Sequence, residues 1–154
     1  MLVYRITLAK YAGKLIASGN AARWNPNEVN MIYTASSRSL ACLENAVHRS
    51  QTGLSQLFNI MTIEIPDNIK TKITWLDDLS ADWTNYNQMY ITQRLGETWI
   101  KENESAILQV PSSIIEEESN YLLNPDHKDF GQIKVIKTQA FLFDKRIKQK
   151  DNIE

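Results

Sequence analysis

An α+β fold, with a mixed and largely antiparallel sheet flanked by helices, is what this 154-residue sequence predicts. Three observations lead there. Short apolar, β-branched stretches alternate with polar positions and are separated by Gly, Pro and Asn. Two longer stretches instead space their apolar residues at the three-to-four period of a helix. Strands and helices are interspersed without a regular strand–helix–strand rhythm, which argues against a doubly wound parallel sheet. The length suits one domain, and a composition that is 43% hydrophobic can fill its core.

Residues 2–8 read as a first strand. Residues 9–30 lack a regular period and carry Gly13, Gly19, Asn20, Asn25, Pro26 and Asn27, so they read as loop. Met31-Ile32-Tyr33-Thr34 reads as a short strand, after which Ser36 or Ser37 can cap a helix. In that helix Leu40, Leu43 and Val47 fall at helical spacing and predict the buried stripe. Residues 61–65 alternate as a half-buried strand, and Ile69, Thr71, Ile73 and Trp75 alternate again. Ile91, Leu95 and Trp99 predict a helix over residues 88–102, weakened by Gly96. Residues 106–110 read as a buried strand stopped by Pro111, and residues 112–131 as loop with one helical turn at most. Residues 133–137 and 139–143 read as two closing strands. The domain is expected to span residues 1–147, with 148–154 a charged, frayed tail.

Charge is balanced overall, at a formal net of −1, which argues against a dedicated nucleic-acid binder. It is uneven along the chain. Before residue 64, Arg5, Lys10, Lys14, Arg23, Arg38 and Arg49 face only Glu28 and Glu44, whereas residues 64–120 are predominantly acidic. A positive field in the first third favours a small anionic ligand. The single cysteine, Cys42, allows no internal disulfide and suits a reducing compartment; beside apolar helix positions it reads as a small core residue. No apolar run approaches a membrane span, and the N-terminus lacks a signal-peptide pattern. A cytoplasmic protein without membrane attachment is expected. With His48 and His127 far apart, no metal site is expected.

Four places could carry chemistry. Arg23-Trp24-Asn25 lies in a loop, where the planar, permanently charged arginine fork suits a phosphate or an amide carbonyl; a surface arginine stacked on tryptophan is the other reading. Tyr33 offers a stacking face or simple core packing. Glu44 flanks the apolar stripe of its helix and is either a buried functional carboxylate or a solvated one. Ser112, Asn120 and Asn124-Pro125 follow a buried strand, where polar groups line clefts or build turns.

Together these strings resemble one family. Arg23-Trp24-Asn25, Val29 to Tyr33-Thr34-Ala35-Ser36, Leu40-Ala41-Cys42-Leu43-Glu44 and His48 are similar to the opening half of a RES domain, named for an arginine, a glutamate and a serine. Leu108-Gln109-Val110-Pro111-Ser112, Asn120 to Asn124-Pro125, His127 and Phe143-Asp144-Lys145-Arg146 are similar to its second half. The resemblance runs from Tyr4 to about Ile147. The sequence departs from the family at Ala21-Ala22, where a glycine usually precedes the arginine, and at Asn27-Glu28, where a glycine often follows Asn-Pro.

The resemblance implies an ADP-ribosyltransferase-like fold and a toxin that degrades NAD at the nicotinamide–ribose bond. The acceptor could be water, phosphate or a protein side chain. It implies Arg23, Tyr33 and Glu44 as catalytic residues, and Arg23, Trp24, Tyr33, His48, Ser112 and Asn124 as substrate-binding ones. NAD is then substrate, no metal takes part, and the partner is an antitoxin with an Xre-type helix-turn-helix domain that covers the active site. Direct nucleic-acid binding by this chain is not expected. Two alternatives remain: protein ADP-ribosyl transfer on the same fold, and a non-enzymatic interaction module using the Arg23–Trp24 patch.

Overall fold

The computed structural model describes residues 1–50 and 52–148. In chain order the elements are β1 (Leu2–Leu8), β2 (Ile32–Ala35), α1 (Arg38–His48), β3 (Phe58–Glu64), β4 (Thr71–Ile73), α2 (Met89–Glu102), β5 (Ile107–Pro111), β6 (Ser119–Leu123) and β7 (Lys134–Phe141). The strands form one sheet in the order β4-β5-β6-β2-β1-β3-β7. Every pairing is antiparallel except that of β4 with β5. This is the mixed, largely antiparallel α+β architecture that the sequence predicts.

Strand alternation divides the core between two faces. Val3, Ile32, Met61, Ile63, Ile107 and Leu123 point to one face and pack with Ala12, Ile69 and Ile133 from the connecting segments. On the other face, Ile6, Ala35, Phe58 and Ile60 pack under Leu40 and Ala41 of α1. Leu108, Val110 and Leu122 share that face and pack with Trp24, Trp83 and Trp99 of α2. Both helices therefore cover the same side, one over each half of the sheet.

Between those halves the sheet is split. β1 pairs with β3 from Leu2↔Glu64 through Leu8↔Phe58, and β2 pairs with β6 from Ile32↔Leu123 through Ala35↔Asn120. The two neighbours β1 and β2, however, pair only at Tyr4↔Ala35. Away from that junction they part, and the opening lies between α1 and α2.

Several elements differ from expectation. β6 occupies residues read as loop, and it is a central strand. Pro111 does not stop β5 but ends it, paired with Ser119. The two expected closing strands are one, because β7 stays paired with β3 through Thr138↔Met61, with a bulge at Thr62/Ile63. β3 starts three residues earlier than expected and is buried along most of its length. Only Thr71–Ile73 of the alternating 69–75 segment pairs with the sheet. Of the predicted stripe on α1, Leu40 is buried but Leu43 and Val47 are exposed. The expected frayed tail, apart from Lys148, lies outside the described residues; the Lys148 ammonium donates to the carbonyl of Val47 near the end of α1 at 3.0 Å.

Candidate functional site

A cavity of about 600 Å³ opens at the split. β1 contributes Tyr4, Arg5 and Ile6, β2 contributes Tyr33 to Ala35, and β6 contributes Asn120. α1 supplies Ala41, Glu44, Asn45 and His48, α2 supplies Met89 and Gln93, and residues 21–24 close one side.

Glu44 reaches the cavity because α1 is fixed at its first turn and turned polar side inward. The Ser37 hydroxyl accepts from the Leu40 N–H at 3.1 Å, capping the helix, a contact that contributes about 1 kcal/mol. The Glu44 carboxylate is then gripped from both sides. Ser112, wholly buried, donates to Oε1 at 3.0 Å. Asn120 donates to Oε2 at 2.9 Å and to the Thr34 carbonyl at 3.1 Å. The Ser112 hydroxyl also accepts from the N–H groups of Ile114 and Ile115, which fixes its rotor. Burial raises the Glu44 pKa; the bonds from Asn120 and Ser112 oppose that rise, and nearby Glu118 adds to it. The net result is a carboxylate above its ordinary range, costly to ionise and therefore strongly responsive to a positive charge beside it.

Arg23 sits on a loop with no strand or helix of its own, yet two successive carbonyls of the loop are bonded to α2 and a third packs against it. Gln93 donates to Ala22 O at 2.9 Å. Thr92 donates to Arg23 O. Gly96 lets α2 approach so closely that a Cβ there would lie 1.8 Å from Trp24 O. Gly96 is thus the contact point of the helix, and not only a weak position in it. On the far side, Asn25 donates through its amide to the carbonyls of Asn20, Pro26 and Val29. Asn27, at one departure from the family pattern, accepts from the Ala21 N–H at 2.9 Å. Glu28 adopts a φ of 69°, the left-handed region where the family's glycine would sit without strain. Among the described residues, the Arg23 guanidinium itself donates a hydrogen bond only to the Trp83 carbonyl, at 3.4 Å.

Tyr33 joins the loop to the sheet. Its hydroxyl donates to Asn25 Oδ1 at 2.6 Å and accepts from the Trp24 N–H at 3.0 Å. Burial is the main cause that holds this phenol far above its ordinary pKa, so it stays neutral. His48, at the end of α1, has its pKa lowered by partial burial and then by Arg23 and Lys148; at neutral pH it is an uncharged hydrogen-bonding group.

The structure thus brings Arg23, Tyr33, Glu44 and His48 around one cavity. It places three expected substrate-binding residues differently. The Trp24 side chain is core, 2% exposed and 5.9 Å from the Trp83 ring, tilted at 45°; its backbone serves the loop. Ser112 does not line the cavity but holds Glu44. Asn124 is buried beyond the opposite end of β6, where its side chain donates to Asn103 Oδ1 and accepts from the Asp126 N–H. Four residues along a strand separate it from Asn120, roughly 13 Å, because β6 is extended where a loop was expected. Asn120, which the sequence places only past a buried strand, lines the cavity and holds Glu44. Cys42 is partly buried, and its thiol pKa is raised by desolvation, which keeps it protonated. Among the described residues no group of three or more His, Cys, Asp or Glu could hold a metal, and no helix is long and apolar enough to cross a membrane.

A split mixed sheet, a cavity in the split, and one clamped carboxylate sharing that cavity with a loop-borne arginine define an α+β domain with a polar cavity. The chain belongs to the RES domain family, which matches residues 2–144. It is 36% identical over 141 residues to the Prs ADP-ribosylating toxin of Sphingobium sp. (strain YBL2), covering 90% of this chain and 86% of that one. It is 34% identical over 152 residues to Toxin Res of Photorhabdus laumondii subsp. laumondii, covering 96% and 97%. A chain from the crystal structure of the M. tuberculosis MbcT–MbcA toxin–antitoxin complex shares the fold at a TM-score of 0.73 with 18% identity, covering 92% of this chain and 84% of that one.

Proposed function

We propose that this protein is the toxin of a toxin–antitoxin pair and acts by cleaving the nicotinamide–ribose bond of NAD. The observation that carries the reading is the Glu44 carboxylate, held at both oxygens by Ser112 and Asn120 in the cavity that also contains Arg23. As the glycosidic C–N bond breaks, nicotinamide leaves with the bonding electrons and the ribose carbon takes on oxocarbenium character. A fixed carboxylate stabilises that charge without having to reorient. Its elevated pKa reflects an environment in which a developing cation is welcome. Arg23 binds a phosphate or ribose oxygen through its planar fork. Tyr33, with its hydroxyl occupied by the loop, offers the nicotinamide only its ring. His48 is placed to contact phosphate or ribose as a neutral partner. Ser112 and Asn120 are positioning residues that act through Glu44.

The ribosyl carbon is then captured by water, phosphate or a protein side chain. The name of the Sphingobium relative, an ADP-ribosylating toxin, favours transfer to a protein as the second reading. A partner with an Xre-type helix-turn-helix domain would silence the enzyme by covering the cavity, and both would act in the cytoplasm. Purified chain incubated with NAD is expected to release free nicotinamide. NAD labelled in its adenylate half distinguishes transfer, which marks a protein band, from hydrolysis or phosphorolysis, which does not. Undiminished NAD and no labelled band would overturn the reading.

A further inference from the structure

We propose that Tyr86 is the platform on which the adenine base of the dinucleotide stacks; naming that base rests on the NAD reading above. Tyr86 opens a single 3₁₀ turn, Tyr86–Gln88, that leads directly into α2. It lines the cavity together with Met89 and Gln93 of the helix, yet it is 82% exposed. A residue that borders a cavity and stays so open stands at its rim. The backbone beneath the ring is ordered. The Asn85 N–H donates to Asp82 O and the Gln88 N–H to Asn85 O, both at 2.9 Å, and the Met89 N–H donates to Tyr86 O. An aromatic ring is therefore held out at the cavity mouth from a fixed turn. Among the described residues no other ring stacks on it and no cation sits over it.

A lone exposed tyrosine needs no explanation. One at the rim of a cavity, with its ring unstacked, offers a planar ligand a large apolar face. The position selects which part of the ligand that is. The NAD reading puts the breaking bond at Glu44, which Ser112 and Asn120 hold on the inner wall. The end of the dinucleotide remote from that bond is a purine, and the rim is where that end emerges. Arg23 gives the direction. Its guanidinium donates to the Trp83 carbonyl, three residues before Tyr86, so the cation proposed for phosphate and the exposed ring share one side of the cavity. Gln93 links the same two places: it lines the cavity beside Tyr86 and donates to Ala22 O, next to Arg23. A single ribose joins adenine to the pyrophosphate, so a phosphate at Arg23 carries the base toward Tyr86. Stacking asks only for a π-face, which a nucleobase supplies without any further hydrogen bond.

The test titrates ADP-ribose calorimetrically into the purified chain and two variants. Tyr86→Leu removes the ring but keeps an apolar side chain, and it is expected to weaken ADP-ribose about 10-fold or more. Tyr86→Phe keeps the ring and loses only the hydroxyl, so it should bind as the wild type does. Both changes lie at the surface and should leave the melting temperature unchanged. With NAD as substrate, Tyr86→Leu should raise KM by a similar factor and leave kcat as it is, because the base is held equally in the ground and transition states. Equal weakening in Tyr86→Leu and Tyr86→Phe would assign the contact to the hydroxyl and overturn stacking. A lower kcat at unchanged KM in Tyr86→Leu overturns it as well. Wild-type binding of ADP-ribose with no loss in Tyr86→Leu overturns this inference alone. A wild-type chain that binds neither ADP-ribose nor NAD overturns the NAD reading and this inference together.

Discussion

At the scale of single residues, the proposed chemistry turns on how Glu44 is ionised. Its carboxylate stands above the ordinary glutamate range, chiefly through burial. The acid must lose its proton before it can stabilise a cation, so activity should rise with pH through a value above the usual ~4.3 of glutamate. Glu44→Gln preserves shape but offers one acceptor oxygen where Ser112 and Asn120 both donate, so one of the two bonds is lost. It should fold, yet lose about a hundredfold or more in NAD consumption. The residual activity should no longer show that acidic limb. A rate profile in the wild type that is flat down to pH 4, or a folded Glu44→Gln chain with full turnover, would contradict the assignment. Residue identity was the part of the site most legible in the sequence. Arg23, Tyr33, Glu44 and His48 were singled out and do converge. Ser112 was singled out as well, but its role was not legible, because hydroxyl geometry depends on which strand end it meets. Asn124 lies away from the cavity because β6 is extended where the sequence predicts a loop.

At the scale of elements, what was hardest to read was polarity turned inward. The inner face of α1 carries Ala41, Glu44, Asn45 and His48 toward the cavity, while Leu43 and Val47 face out. Apolar periodicity assumes that the buried side of a helix is the greasy side, and a helix that walls a polar cavity breaks that assumption. β6 was lost similarly: it is a short strand bearing the buried, polar Asn120, preceded by three glutamates and followed by Asn-Pro. The strands with clean alternation or β-branched runs, β1, β2 and β5, were legible to within a residue or two. Gly96 gives a test of this scale. Alanine favours a helix interior by about 1 kcal/mol over glycine, but its Cβ would collide with the Trp24 carbonyl, which cannot swing aside as a side-chain tip could. Overpacking of this kind costs about 1–3 kcal/mol, so collision should win. Gly96→Ala should lower the melting temperature by several degrees and displace the Arg23 loop, weakening NAD turnover. A higher melting temperature with full turnover would show that the close approach of α2 is dispensable.

At the scale of the whole molecule, the cavity is where the two halves of the sheet come apart, and anything that fills it touches both. On the proposed function, a partner that silences the activity has the most direct route there, and the basic surplus before residue 64 suits a carboxylate-bearing segment of that partner. With Glu44→Gln protein, which should turn over its ligand far more slowly, NAD affinity is expected to fall when the antitoxin is present. Equal NAD affinity with and without the antitoxin would exclude occlusion, even for a tight complex. The acidic surface of residues 64–120 would then be the place to look for docking.

The clamp on residues 22–24 bears on entropy. Ordering a backbone residue costs about 1–2 kcal/mol, and a loop that stays mobile until its ligand arrives subtracts that cost from affinity. Here the carbonyls of Ala22 and Arg23 are already bonded to α2, that of Trp24 packs against Gly96, and Asn25 is already held by Tyr33. The disorder is given up once, when the chain folds. Of Arg23, only the side-chain torsions are left for a ligand to freeze, so a segment without regular secondary structure meets its ligand as rigidly as a turn of helix would.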